Sequence, residues 1–301
     1  MRKIKETEKA MIVNDETYLQ YFDRLSLIAT SIFEWEGLDE IGGNSRFLEQ
    51  TLFKYGRACF VKDEELGFLS ICANPSDKLN VYNLPTKIEA WSIGYSKQFD
   101  YDKCVYIMNN EMQMPTLPII KSFAYRLYEI ERTTDINVIA QKTPVLLEGD
   151  KGTMLTLKNV YMQFSGNMPF MFGNKNYNLN EKINCVKTEA PYIVDKLDEH
   201  KARLWAEILT FLGINNANTD KKERLITDEV NSNNQLVAFN LNNFYKTRKK
   251  ACDEINKMFF GGEEKIKIKL NEKLIDLLNE TNTGGVESGE IYDNYIFNDE
   301  E

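Results

Sequence analysis

Two acidic runs, Asp63-Glu64-Glu65 and Asp228-Glu229, hold the side chains best suited to chemistry. Clustered carboxylates are hard oxygen ligands, so either run is a candidate Mg²⁺ site for nuclease chemistry. Adjacent carboxylates on a turn or helix point in different directions, however, and a charged, solvated surface accounts for both better. His200 is the single histidine, and its neighbours Asp198, Glu199 and Lys201 put it on the polar side of a helix. A surface imidazole is the expectation, and most histidine-based metal and triad chemistry is thereby removed. The five cysteines (Cys59, Cys72, Cys104, Cys185, Cys252) are far apart, odd in number and without CxxC spacing. They read as buried thiols in a reducing compartment, not as a disulfide frame or a zinc site. Gly149-Asp150-Lys151-Gly152-Thr153 is glycine-rich but lacks phosphate-loop spacing, and reads as a hairpin turn. Neither GxxxxGK[ST], GxGxxG after a strand, GxSxG nor HExxH occurs. The residues point to no enzyme, no cofactor and no metal.

Composition sets the frame for whatever else the chain does. Its 301 residues are 43% apolar and 28% charged, enough to bury a sizeable core and to exclude wholesale disorder. No apolar run is long enough to span a bilayer, and MRKIKETEKAM at the N-terminus has no secretory apolar stretch. The net charge of −9 argues at first against a nucleic-acid partner. Its distribution changes that reading. Residues 274–301 hold eight of the 46 acids and no Lys or Arg, which leaves 38 acids against 37 bases, a net −1, over residues 1–273.

The elements follow from periodicity. Tyr18, Phe22, Leu25, Ile28 and Ile32 form a helical stripe, with Asp15 placed to cap it and Gly37 to end it. Ser45 opens a short helix to about Tyr55. Between Arg57 and Met114, runs rich in Val, Ile, Tyr, Phe and Trp (58–61, 68–73, 88–93, 103–108) predict a small antiparallel sheet or barrel. A long helix is predicted from about Thr116, with Pro118 in its first turn, to about Lys142, where Pro144 stops it. Strand and loop character returns over 143–189, with Val145–Leu147 and Met154–Leu157 flanking the glycine turn. A third long helix is predicted over 190–213; Val194, Leu197, Leu204, Ile208 and Phe211 mark either a helix–helix seam or plain core packing. Residues 214–235 read as loop with a helical piece at 223–230, 236–258 as helix, 265–270 as a half-buried strand, 271–280 as a short helix and the rest as disordered.

Particular segments carry a resemblance. Gln141-Lys142-Thr143-Pro144-Val145-Leu146-Leu147, Ala190-Pro191-Tyr192-Ile193-Val194-Asp195-Lys196-Leu197, Thr210-Phe211-Leu212-Gly213-Ile214, Asn216-Ala217-Asn218, Lys221-Lys222-Glu223-Arg224 and Thr227-Asp228-Glu229-Val230 resemble the portal proteins, or upper collars, of small short-tailed, protein-primed phages. Phe33-Glu34-Trp35-Glu36 and Tyr106-Ile107-Met108-Asn109-Asn110 add weaker matches, and the likeness covers about residues 16–275.

The resemblance implies an α+β portal fold with long tilted stem helices, a small SH3-like β-barrel wing and a β-containing clip. It divides the chain into N-terminal helices and wing (1–115), stem helix (116–142), clip (143–189), stem helix (190–213), channel loop (214–235), wing helix and strand (236–273) and an acidic C-terminal segment (274–301). It implies a homododecameric ring at one capsid vertex, in the virion and assembled in the host cytoplasm. Through it double-stranded DNA is packaged, retained and ejected. Further implied partners are the major capsid and scaffolding proteins, a packaging ATPase on another chain and the lower collar and tail proteins; no membrane is involved. DNA-channel lysines are implied at Lys187, Lys196, Lys221 and Lys222; without the resemblance these are four ordinary surface lysines. In the short N-terminal arm, Arg2, Lys3, Lys5 and Lys9 alternate with Glu6 and Glu8, which departs from the family's basic arm and makes a packaging RNA doubtful. A non-viral oligomeric scaffold and a metal-dependent nuclease are the competing readings.

Overall fold

A computed structural model describes residues 6–75, 78–82, 84–141, 145–147, 183–185, 191–215 and 227–271. The chain divides into two compact units, residues 1–128 with 201–301, and residues 129–200.

In the larger unit, helix α1 (Glu6–Thr30) runs into strand β1 (Phe33–Glu36). Asp15 therefore lies inside the helix instead of capping it, and the helix ends before Gly37. The apolar stripe is as expected, with Leu25, Ile28 and Ile32 buried. What stops the helix is Phe33-Glu34-Trp35-Glu36, whose strict alternation puts Phe33 and Trp35 in the core and both glutamates in solvent. This strand pairs antiparallel with β9 (Lys267–Leu270), Phe33 opposite Leu270 and Trp35 opposite Ile268. The three lysines of residues 265–270, two of them in β9, face outward as expected, and each has a carboxylate: Lys265 with Glu263, Lys267 with Glu264, Lys269 with Glu36.

Helix α2 (Ser45–Tyr55) falls where its pattern predicts. Asn44 caps it by accepting from the Phe47 amide at 2.8 Å, and Asp39 accepts from the Ser45 amide at 2.7 Å. Five strands follow: β2 (Arg57–Asp63), β3 (Gly67–Pro75), β4 (Lys87–Ser92), β5 (Tyr95–Asp100) and β6 (Cys104–Met108). They form one antiparallel sheet in the order β5-β4-β3-β2-β6. Cys59, Val61, Ile71, Ala73, Ile88, Ala90, Cys104 and Tyr106 bury one face. The other face meets α2, where Thr51 Oγ1 lies 3.7 Å from Cys72 Sγ, and the last long helix, where Phe259 packs edge-on against Phe60. Two details differ from expectation. β5 has no apolar alternation to announce it, and Ile93 sits fully exposed beyond the end of β4.

Helix α3 (Leu117–Ala140) carries Pro118 in its first turn, and buries Ile120, Ala124, Leu127 and Ile130. Helix α4 (Val194–Leu212) starts later than the predicted Ala190–Pro191, because Pro191 to Ile193 are held in a non-helical conformation. Leu204 and Ile208 are buried within the chain, and Phe211 packs edge-on against Phe244, so this part of the apolar spacing is core packing.

The last helix, α5 (Thr227–Phe260), is 34 residues long and includes Asn231-Ser232-Asn233-Asn234-Gln235, which the composition assigns to loop. Asn and Ser are weak helix formers, not breakers. Their penalty is a few tenths of a kcal/mol each, and the following stripe of Val237, Leu241, Phe244 and Tyr245 is buried in the core. In the smaller unit, β7 (Val145–Leu147) pairs antiparallel with β8 (Ile183–Cys185), a strand the pattern does not announce. The Met154–Leu157 strand, the glycine turn, the 271–280 helix (beyond Asn271) and the acidic C-terminal segment lie outside the described residues.

Candidate functional site

The acidic run at 63–65 is accounted for by folding. Asp63 ends β2 with its carboxylate buried; Oδ1 accepts from the amides of Glu65 (2.9 Å) and Leu66 (3.1 Å), while Oδ2 accepts from Tyr95 Oη (2.9 Å) and Lys97 Nζ (3.0 Å). Both oxygens are engaged, so the group is a turn anchor that also ties β2 to β5. The Glu65 amide, then Lys97, hold its carboxyl well below the ordinary range, and the Tyr95 hydroxyl is pushed up to about 12 by burial and by this carboxylate. A carboxyl group lowered on folding stabilises the fold above its unfolded value of about 3.9, and that stabilisation is lost as pH falls through the folded value. Asp63→Asn is therefore expected to be less stable than the parent at pH 7, with the gap closing below about pH 4. Urea midpoints across pH 2–7 measure this, and a constant gap would refute it.

The other candidate chemistry disperses. Asp228 and Glu229 fall in the first turn of α5, and their side chains lie outside those described. His200 is exposed. Cys59, Cys72, Cys104 and Cys252 are buried free thiols, and burial raises all four, Cys104 to about 12. Such thiols stay protonated at neutral pH and are poor nucleophiles. Among the described residues no three His, Cys, Asp or Glu side chains are grouped to hold a metal ion, and no helix is long and apolar enough to cross a membrane.

Of the four lysines that the resemblance implies, Lys196 is described: it is exposed in the first turn of α4. Lys187, Lys221 and Lys222 lie outside the described residues. Asp195, Asp198 and Glu199 are exposed around Lys196, so this stretch presents single ammonium groups on an acidic background. Such a surface meets a phosphate backbone with little net attraction, because counterion-release affinity grows with each phosphate neutralised.

The start of α4 is fixed by a residue that sequence reading passed over. Asn137 of α3 is buried; its Nδ2 donates to the Pro191 carbonyl at 2.9 Å, and its Oδ1 accepts from the Ile193 amide at 3.2 Å. One amide side chain thus pins Pro191–Ile193 in a non-helical conformation, and the helix begins only at Val194. The signal for Asn137 is its place seven residues, about two turns, after Ile130 on the buried stripe of α3, where a polar residue needs a partner.

A second polar group organises the larger unit. Arg248 of α5 is buried and all its donors are placed: Nε and Nη2 grip both oxygens of buried Glu49 (2.8 and 2.7 Å), Nη1 reaches the Asn109 and Phe244 carbonyls (3.2 and 3.0 Å), and Nη2 also meets Asn109 Oδ1 (3.1 Å). Trp35 Nε1 donates to Glu49 Oε1 at 2.8 Å, and the guanidinium lies 4.4 Å from the Phe33 ring centroid. Asn109 passes the network on, donating to Met114 O and Thr116 Oγ1 just before α3. β1, α2, β6, the approach to α3 and α5 therefore meet at one ion pair.

The fold is similar to several solved assemblies. The portal and tail of native bacteriophage P68 match at 14% identity, over 94% of this chain and 99% of that one, with a TM-score of 0.46. The neck of an empty GTA particle matches at 10% identity over 90% and 87%, with a TM-score of 0.44. An HK97-family phage portal protein from Corynebacterium diphtheriae matches at 10% identity over 94% and 98%, with a TM-score of 0.43. The sequence itself matches the family model described as Phage Connector (GP10) over residues 1–275, and the chain belongs to that phage connector family.

Proposed function

We propose that the chain is one subunit of a homododecameric ring at a single capsid vertex, lining the channel through which double-stranded DNA is packaged, retained and ejected. The observation that carries this is the family match over residues 1–275, which makes the chain a head–tail connector serving DNA packaging. In this reading α3 and α4 are the stem rods, the segment between them is the clip, and the five-stranded sheet belongs to the SH3-like wing. Long helices suit a heterologous interface whose rotation closes into a ring. The role is structural, and ATP hydrolysis belongs to a packaging ATPase on another chain. Capsid and scaffolding proteins meet the ring during assembly in the host cytoplasm, and lower collar and tail proteins meet it in the virion.

The near-neutral charge of residues 1–273 suits a polymer that must slide past without sticking. Lys187, Lys196, Lys221 and Lys222 are proposed as the channel lysines, each multiplied into a ring by symmetry. Electron microscopy of the purified protein tests the assembly: rings with a central hole are expected, and a monomer would overturn the reading. Lys221→Ala combined with Lys222→Ala should leave rings intact and impair late packaging or DNA retention. Normal yields of full particles from that double mutant would remove these two lysines from the channel role.

A further inference from the structure

The solvent side of α5 carries a basic ridge. Lys246, Lys249, Lys250 and Lys257 are all exposed, and at helical spacing they fall within an arc of roughly 100°. Asp253 stands inside that arc, and Glu254 at its margin lies 4.0 Å from Lys250. Lys246 and Lys249 have no carboxylate partner among the described residues. Next to Lys257 opens a cavity of about 440 Å³ lined by Tyr101, Cys104, Tyr106 and Met258 along with Asp102 and Glu254. The ridge thus offers positive charge beside an aromatic-lined hollow, which calls for an occupant that is acidic and aromatic together.

The chain contains such a segment. Residues 287–301 read ESGEIYDNYIFNDEE: Glu287, Glu290, Asp293, Asp299, Glu300 and Glu301 surround Ile291, Tyr292, Tyr295, Ile296 and Phe297, with no basic residue. It lies beyond residue 275, where the family match ends. Its tether is favourable. β9 ends at Leu270, and Lys265, just before it, lies over the Phe260 ring at the end of α5. The 30 residues after Asn271 reach up to about 100 Å when extended, whereas Lys246 to Lys257 spans only about 16 Å of helix. Attachment to the same chain gives a high effective concentration without a tight intrinsic contact.

We propose that the acidic, aromatic segment 287–301 docks along the Lys246–Lys257 ridge of its own chain, carboxylates on the lysines and an aromatic side chain in the adjoining cavity. The ridge is then occupied by an internal polyanion and is closed to phosphate backbones that approach that face. This inference concerns a surface and a segment separate from the channel lysines, so it does not depend on their role.

Hydrogen exchange on the full chain tests it. Amides of 287–301 should exchange roughly tenfold more slowly than in the same sequence as a free peptide, since several individually weak exposed ion pairs act together. Changing Lys246, Lys249 and Lys250 together to Glu should return exchange to the free-peptide rate, while Lys→Arg at the same positions should keep the protection. Raising salt toward 1 M should weaken it, because the contact is exposed. Free-peptide rates in the parent chain would overturn the proposal. So would protection that survives the triple Glu variant, which would place the segment elsewhere, or ridge amides that slow only when duplex DNA is added, which would make nucleic acid the occupant. Ring formation scored on the same samples separates failure of this inference from failure of the connector reading.

Discussion

Arg248→Ala is expected to lower the unfolding free energy by about 3–5 kcal/mol, a large share of the roughly 5–15 kcal/mol that holds a domain folded. The substitution leaves Glu49 charged, buried and without its bidentate partner, and it strips the Asn109 and Phe244 carbonyls of a donor. Glu49→Ala should cost a similar amount for the mirror reason: it strands a buried guanidinium beside the Phe33 ring and leaves the Trp35 indole N–H without its acceptor. Replacing both at once, Arg248→Met with Glu49→Leu, should cost much less than the two single changes together, because apolar side chains of similar volume leave no uncompensated charge. Urea unfolding at one fixed protein concentration measures all three, concentration being held because association shifts apparent stability. A loss under about 1 kcal/mol for Arg248→Ala, or strict additivity in the double variant, would show that the pair is not the junction described.

The junction matters for function because of where it leads. Asn109 takes its place from Arg248 and passes it to Met114 and Thr116, the residues that set the first turn of α3. If α3 is a stem rod of the proposed ring, it must hold one tilt in every copy and cannot be hinged loosely at its base. Apolar packing is tolerant of small rotations, while a bidentate pair with fixed donor directions is not. Polar burial is therefore a reasonable device for fixing an angle, even where it adds little net stability.

How far this was legible in the sequence depends on the range over which each feature is determined. α2 is local: Asn44, Ser45 and the Leu48–Leu52 spacing sit within a dozen residues, and both ends were readable. The strands of the sheet were readable where Val, Ile and Phe cluster, and β5 was not, because Tyr95–Asp100 is an edge strand whose central residues face solvent. β1 alternates plainly, but its partner is more than 200 residues away, and nothing local says that a four-residue strand will find it. Polar burial was the hardest to see. Arg248 stands on the same stripe as Leu241, Phe244 and Cys252, and Glu49 stands between Leu48 and Leu52. A charge at an apolar position is the available hint, but the pairing of two such hints 199 residues apart is a property of the fold alone. The lysines proposed for the channel rest on the resemblance and on no pattern in the residues themselves.

Gly213→Ala is the second substitution expected to be severe, at about 3 kcal/mol, from two separable causes. Gly213 closes α4 in the left-handed region at φ 78°, donating to Thr210 O while the Ile214 amide reaches back to Leu209 O at 2.9 Å. An L-residue there costs about 1–2 kcal/mol. The added methyl would also lie 2.5 Å from Leu241 Cβ and 2.7 Å from Leu241 Cα on α5, far inside van der Waals contact. These atoms belong to the backbone and its first carbon, so no rotamer change relieves the overlap, and Leu241→Ala would not rescue the variant. α4 and α5 must separate instead, which strains the Asn240 bond to Thr210 O at 2.9 Å and the Phe211–Phe244 contact. Gly261 provides the control: its φ is 66°, with nothing within 4 Å of an added methyl, so Gly261→Ala carries the conformational cost alone. Gly213→Ala should therefore lose about 1–3 kcal/mol more than Gly261→Ala in urea unfolding. Equal losses would mean that the two helices do not approach as closely at Leu241 as their geometry requires.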